Sequence, residues 1–278
     1  MVDIYSPAVL NRVVQDLKSV RRAPFLLGRY FNEVSISNQE EIFFDVLTGK
    51  PRLAPFCSPL VEGKIVREQG YSTKSFKPAY IKDKRVFEDG KPVRRKAGQQ
   101  ISAALDPMQV RQINLADSSD DQIGMLERRQ EWMAAEELRT GAVTVSGEGY
   151  PTTVVDFGRH ADLSVTLLST ARWNDSAPDM PGNLETWAGV IRDKSGASAV
   201  DVIMSQAAWN LFRVDDDVKA LMDSTKNLSP RTSIDVGPDA QTLGFTDKGY
   251  VGDFHIFIYH DQYTDDNGAT QPLSLIHI

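Results

Sequence analysis

Apolar residues along this chain fall into short blocks whose spacing changes several times. Val9, Leu10, Val13, Val14, Leu17 and Val20 recur at helical spacing. Ser6-Pro7 precedes them, a capping side chain followed by a proline suited to the first helical position. Arg21-Arg22-Ala23-Pro24 breaks that block, whose few charges favour packing against protein over a membrane surface. From Phe25 to Pro59 the runs FLL and IFFDVL sit between prolines and polar turns, which predicts strand or extended structure. Ser118-Ser119, followed by Asp120 and Asp121, marks a helix start. Ile123, Leu126 and Met133 form one narrow stripe along that helix, and Met125, Trp132 and Leu138 a second. Arg128, Arg129, Glu131, Glu136, Glu137 and Arg139 take the remaining positions, so the helix is expected to be contacted on more than one side.

Thr140-Gly141 ends the helix, with Gly141 suited to the left-handed terminating conformation. Alternating residues from Ala142 to Ser146 and from Thr152 to Phe157 predict two strands. Gly147 and Gly149 are the backbone turns between them. A change of composition at Arg172-Trp173-Asn174-Asp175-Ser176-Ala177-Pro178 suggests a boundary. An αβα pattern follows: a helix over Asn183–Asp193, a buried strand over Val200–Met204, a helix capped by Ser205, and another from Asp215 to Asp223. Phe254–Tyr259 reads as a further strand. The pattern is mixed, α+β.

Composition adds that 278 residues with 41% hydrophobic content can bury a substantial core in one or two domains. No apolar run approaches the length of a membrane span, and the first residues lack the basic and apolar regions of a secretory signal. A single cysteine, Cys57, rules out an intrachain disulfide framework, suits a reducing compartment and reads better as a small hydrophobe than as a nucleophile.

The net charge of −7 hides an asymmetry. Between Glu62 and Gln100 eleven Lys/Arg face five acids, +6 for the segment and −13 for the remainder. Asp89-Gly90 is a hairpin turn signal between Lys84–Phe87 and Pro92–Arg94. With glycines punctuating it and few core residues, the segment reads as a long excursion stabilised from outside itself. A nucleic-acid-binding arm would explain the charge. An arm lying on the acidic surface of a like subunit explains it equally, without any nucleic-acid motif, and is preferred.

No chemistry converges. His255 and His260 are five apart along a strand region and project to opposite faces. Asp215-Asp216-Asp217 suits an acidic first helical turn better than a cation site. Gly141, Gly147 and Gly149 follow a helix and precede a strand, the wrong order for a dinucleotide fingerprint. G-x-S-x-G, P-loop, CxxC and HExxH motifs are missing, and no pair of carboxylates stands out, so no catalytic, cofactor-binding or metal residue is expected.

Several segments in order resemble the lambda-type major capsid proteins of tailed phages, the phage major capsid protein E family. They are SPLVEGKIVREQGYSTKSFKPAYIK (58–82), EELRTGAVTVSGE (136–148), VVDFGR (154–159), ARWND (171–175), VDVIMS with AAWNLF (200–212) and YVGDFHIFIYHDQY (250–263). The resemblance implies a Hong Kong 97-like capsid fold. In that reading 1–57 is an N-terminal arm with peripheral elements, 58–100 an extended basic hairpin (the E-loop), 101–172 a peripheral domain with the spine helix, and 173–272 an incomplete axial domain. It implies a non-enzymatic subunit of the head shell, in the virion and assembled in the bacterial host cytoplasm, without cofactor, membrane or specific nucleic-acid recognition. Its partner would be itself, in hexamers and pentamers, with decoration, scaffold and portal proteins as further candidates. The arm residues expected at intersubunit contacts are Lys64, Arg67, Lys74, Lys77, Lys82, Lys84, Arg85, Arg94, Arg95 and Lys96. A basic-armed nucleic-acid module and an enzyme with an unrecognised site are the alternatives. Family members continue past the position of Pro272, whereas Leu273–Ile278 (LSLIHI) is what the codons CTG TCT CTT ATA CAC ATC encode. Those codons match a transposon end used in sequencing-library preparation, so these six residues are expected to be adaptor read-through on a truncated gene.

Overall fold

The computed structural model describes residues 24–47, 53–54, 56–60, 62, 70–86, 107–147, 149–176, 178–221, 244–265 and 268–273. The amphipathic block at 9–20 and the proposed turn at Asp89-Gly90 lie outside them.

The fold is organised around one strand, β7 (Phe254–Tyr259), between β5 (Asp201–Met204), parallel to it, and β6 (Phe245–Val251), antiparallel. Side chains of a strand alternate between faces, and β7 is apolar on both. Ile256 and Ile258 point into one cluster with Trp173, Met180, Leu184, Met204, Ala208, Trp209, Phe212, Val218 and Val251. Phe257 and Tyr259 point into a second, with Phe25, Leu26, Ala134, Ala135 and Leu273. The FHIFIY run, broken only by His255, is thus the signature of a strand covered by helices on each side.

The covering helices begin and end where the sequence supplies caps. On the first face lie two helices, which we number with the others in chain order: α3 (Met180–Ser195) and α4 (Gln206–Phe212). Asp179 accepts from Gly182 N–H at 2.9 Å to start α3, and Gly196, at φ 73°, terminates it. Ser205 caps α4 as its sequence predicts, accepting from Ala208 N–H at 3.2 Å. A short helix, α5, spans 216–221, and Asp215 caps it through Val218 N–H at 3.0 Å. Trp173, in the predicted boundary, is buried against Trp187 and Phe212. On the second face sit α1 (Phe25–Tyr30) and the C-terminal half of α2 (Pro107–Thr140).

Two of these helices differ from the sequence expectation. Phe25–Tyr30 is helical where extended chain was expected; six residues hold a helix here because side chains from elsewhere secure both ends. The long helix does not start at Ser118-Ser119. It runs for 34 residues from Pro107, placing both serines in its interior. Met108, Val110, Ile113 and Leu115 extend the apolar spacing upstream, and buried Ser119 lies between Leu115 and Ile123 on one stripe. Tertiary burial overrides the capping preference of Ser and Asp.

Away from this body, β1 (Ile42–Leu47) pairs antiparallel with β2 (Tyr71–Phe76), in register from Ile42↔Phe76 to Leu47↔Tyr71. The described part of the arm is therefore tied to the segment before it. β3 (Ala142–Gly147) and β4 (Tyr150–Asp156) form the hairpin predicted after the long helix. β8 (Gln262–Thr264) and β9 (Thr270–Pro272) make a last small pair. Of the tail set apart in the sequence, Leu273 is buried in the second cluster and its N–H donates to Asp261 O at 2.8 Å; 274–278 lie outside the described residues.

Candidate functional site

Of the ten basic arm residues, Lys64, Arg67, Arg94, Arg95 and Lys96 lie outside the described residues. Lys74 is exposed on β2, Lys84 is exposed on the extended chain after it, and Lys82 stands over the Tyr80 ring at 5.4 Å. Two others already have partners in their own chain. Lys77 pairs with Glu40, and Arg85 bridges to the long helix, its Nη2 2.7 Å from Asp121 Oδ2 and its Nε 3.1 Å from Asp83 Oδ2. These pairs are largely exposed and individually weak, so they orient the arm more than they stabilise it. Around them Phe43, Leu53, Phe56, Leu60, Tyr80 and Val86 expose apolar surface, and Met125 and Leu126 do so on α2. Only part of each stripe on the long helix is covered by its own chain.

The handover from α2 to β3 is a built joint. Gly141 has φ 76°, and its N–H donates to Glu137 O at 2.8 Å. Arg159, from the end of VVDFGR, then turns its guanidinium onto the helix end. It donates to Arg139 O at 3.1 Å, to Leu138 O at 2.7 Å and also to Glu137 O, which accepts from Gly141 as well, so these carbonyls of the last turn are all engaged. A Cβ at Gly141 would stand 2.7 Å from Arg159 Cβ, so both the left-handed backbone and the close approach demand glycine. Gly149, in the turn, has φ 70°. Gly147 differs from the expectation: it has no positive φ, closes β3 opposite Tyr150 and lies at a register irregularity that starts at Val145. The reversal rests on Gly149.

A second joint links α1, α2 and the sheet through residues the sequence did not single out. Glu131 is 1% exposed. Its carboxylate accepts from Leu26 N–H at 2.9 Å, Leu27 N–H at 3.0 Å and Tyr259 hydroxyl at 3.0 Å. Burial pushes its pKa above the ordinary 4.5, against the opposing effect of those three bonds. At the other end of α1, Asp201 accepts from Arg29 Nε at 2.7 Å and Tyr30 hydroxyl at 2.8 Å. Burial alone would raise Asp201, but the Arg29 and Tyr30 bonds prevail and hold it below the usual carboxylate value. His255 lies beside Asp201, Nδ1 4.0 Å from its Oδ1, while its Nε2 is hydrogen-bonded with Asp247 Oδ1 at 2.8 Å. One sequence signal could have found Glu131: it precedes Ala134, Ala135 and Leu138 by three, four and seven residues, a core-facing position. Among the described residues, no group of His, Cys, Asp and Glu is arranged to hold a metal ion. The geometry is that of joints between elements.

A family model described as phage major capsid protein E matches residues 6–275. The chain belongs to this capsid protein family. Relatives of this E-family chain include the major capsid protein of Escherichia phage N15, 25% identical over 96% of this chain and 76% of the relative. The major capsid protein of Escherichia phage lambda is 24% identical over 87% of this chain and 70% of its own length. That of Enterobacteria phage phi80 is 24% identical, covering 96% and 76%. A solved prophage capsid protein from E. coli CFT073 superimposes with a TM-score of 0.68 over 96% of this chain and 78% of that one, at 18% identity. The E-family chain therefore shares its mixed helix-and-sheet fold with a capsid protein.

Proposed function

We propose that this chain is the repeating subunit of a tailed-phage head, closing into an icosahedral shell around the genome. The arm carries this reading. In a member of a capsid protein family, a basic excursion exposes Leu60, Tyr80, Ile81 and Val86 and has no core of its own among the described residues, and Phe43, Leu53 and Phe56 in the segment before it are exposed as well. Such surface is stable in water only when a neighbour covers it. Many modest contacts of this kind, repeated by symmetry, close a shell through avidity. The finer assignment is a Hong Kong 97-like subunit with N-terminal elements in 1–57, the extended arm in 58–100, a peripheral domain with α2 as spine helix in 101–172, and an axial domain in 173–272. Shell hexamers and pentamers are the self-partners, with decoration, scaffold and portal proteins beside them. Assembly takes place in the host cytoplasm and needs no cofactor, catalytic step or specific nucleic-acid contact.

Lys77 and Arg85 are engaged at home, so Lys74, Lys82, Lys84 and the cluster Arg94-Arg95-Lys96 are the arm's contributions to a neighbour's acidic surface. Charge reversal of Arg94, Arg95 and Lys96 to Glu tests this. Electron microscopy and sedimentation should show wild-type shells and mostly unassembled variant subunits, with the folded subunit's circular dichroism retained. Full shell yield from the variant would overturn the assignment, and nuclease-sensitive wild-type particles would point to the nucleic-acid alternative.

A further inference from the structure

The six-residue helix α1 is fastened unlike any other described helix. Its N-terminal amides, Leu26 and Leu27, are taken by Glu131 of α2, and its last two side chains, Arg29 and Tyr30, are taken by Asp201 of β5. Between these anchors Phe25 stacks on Phe245 with centroids 3.9 Å apart, and the Arg29 guanidinium lies 4.6 Å from the Phe257 ring centre. The helix thus spans the seam between the long helix and the three-stranded sheet, with Leu26 fully buried in the gap. Beyond it the chain is held by little until Glu40 pairs with Lys77. Residues 32–41 are exposed without helix or strand, and Val34 and Ile36 are 80% and 89% exposed.

We infer that α1 is a removable strap: it docks across the seam, and it leaves as a unit while the long helix and the sheet stay folded. Three features support reversibility. A six-residue helix has too few internal bonds to persist alone, so docking and helix formation are one event. Both anchors are carboxylates, which regain hydration when the strap departs and so offset part of the cost of exposing Phe25 and Leu26. Glu131 also keeps the Tyr259 hydroxyl after losing the two amides, so its side chain stays positioned for redocking. On the α2 side of the seam the buried residues besides Glu131 are the small Ala134 and Ala135, with Trp132 and Leu138 half-buried beside them. With the strap off, α2 and the sheet stay joined at the Glu131–Tyr259 bond and can change their mutual angle about it; with it on, they are clamped. This inference stands whether or not the chain forms shells.

Native-state hydrogen exchange on the intact chain tests it. The Leu26 and Leu27 amides should exchange roughly tenfold or more faster than the β7 amides of Ile256 and Ile258, the mark of a local opening. Asp201→Asn should speed the strap amides by roughly a further tenfold, the scale of one lost charge-assisted bond, and leave β7 unchanged. Tyr30→Phe, a milder change at the same anchor, should give the same pattern with a smaller factor. Equal wild-type rates for strap and β7 would mean that α1 leaves only on global unfolding and would overturn the inference. Variants that accelerate both sets alike, or neither, would overturn it as well.

Discussion

Replacing Glu131 by alanine removes the acceptor on which three donors converge. Leu26 N–H, Leu27 N–H and the Tyr259 hydroxyl, at 2.9, 3.0 and 3.0 Å, would face a void. A buried donor left without a partner costs about 1–3 kcal/mol. Water entering the space recovers part of that, and removing a buried negative charge recovers more, so each donor counts at the low end. The net loss should be about 3 kcal/mol, within the range of about 3–5 kcal/mol for deleting one member of a buried charged set. That is a large share of a stability of about 5–15 kcal/mol. Glu131→Gln should cost about 1–2 kcal/mol at neutral pH, since it keeps one acceptor oxygen but turns an amide NH₂ toward at least one of the donors. Urea denaturation of the soluble subunit reads both, with the midpoint shifted and the slope unchanged. The comparison also has a pH signature. Because the folded-state pKa of Glu131 lies above its ordinary 4.5, its contribution is fully present below 4.5 and is lost as pH rises through the folded value. The advantage of wild type over Glu131→Gln should therefore shrink as pH rises from 4.5. A Glu131→Ala change under about 1 kcal/mol, or an advantage that grows with pH, would refute the reasoning.

The glycine joints separate two costs. Gly149→Ala, with φ 70° and nothing near the new methyl, should lose about 1–2 kcal/mol, whereas Gly141→Ala adds the 2.7 Å approach to Arg159 Cβ and should lose clearly more; equal melting temperatures would contradict the close approach. Arg159→Lys should recover less than half of what Arg159→Ala loses, because one ammonium cannot serve the carbonyls of residues 137, 138 and 139 together, and thermal unfolding of the pair measures this.

Elements whose determinants are local were legible in the sequence. Ser205 caps its helix, Gly141 stops the long one, and FHIFIY is the central strand, because each depends on neighbours within a few residues. What was missed depends on distant partners. Phe25–Tyr30 looks extended until Glu131, 105 residues away from Leu26, supplies acceptors for its first amides. Ser118-Ser119 reads as a cap until burial of Ser119 shows the helix continuing through it. Glu131 reads in the sequence as one of the charged positions between the apolar stripes, since charge is normally a surface property, and only its spacing to Ala134, Ala135 and Leu138 marks it as core-facing. The basic arm was visible as a charge imbalance, but sequence spacing does not reveal that Arg85 reaches Asp121 or that Lys77 meets Glu40.

The long helix has a mechanical consequence that follows from where it is held. Two of its fixed points, Glu131 and the carbonyls gripped by Arg159, lie in the last third of its 34 residues, and Asp121, met by Arg85, lies nearer the middle. At 1.5 Å per residue the other end, at Pro107, stands about 36 Å from Glu131. A pivot of about five degrees at the seam would sweep that end through about 3 Å, roughly the length of a hydrogen bond. About the seam the helix is a lever with a short arm toward Arg159 and a long one toward Pro107, along which the Arg85 bridge to Asp121 sits. Rearrangements too small to disturb the core would be read out at its far end as bonds made or broken, and the fit of that end against whatever it meets is set by side chains tens of ångströms away.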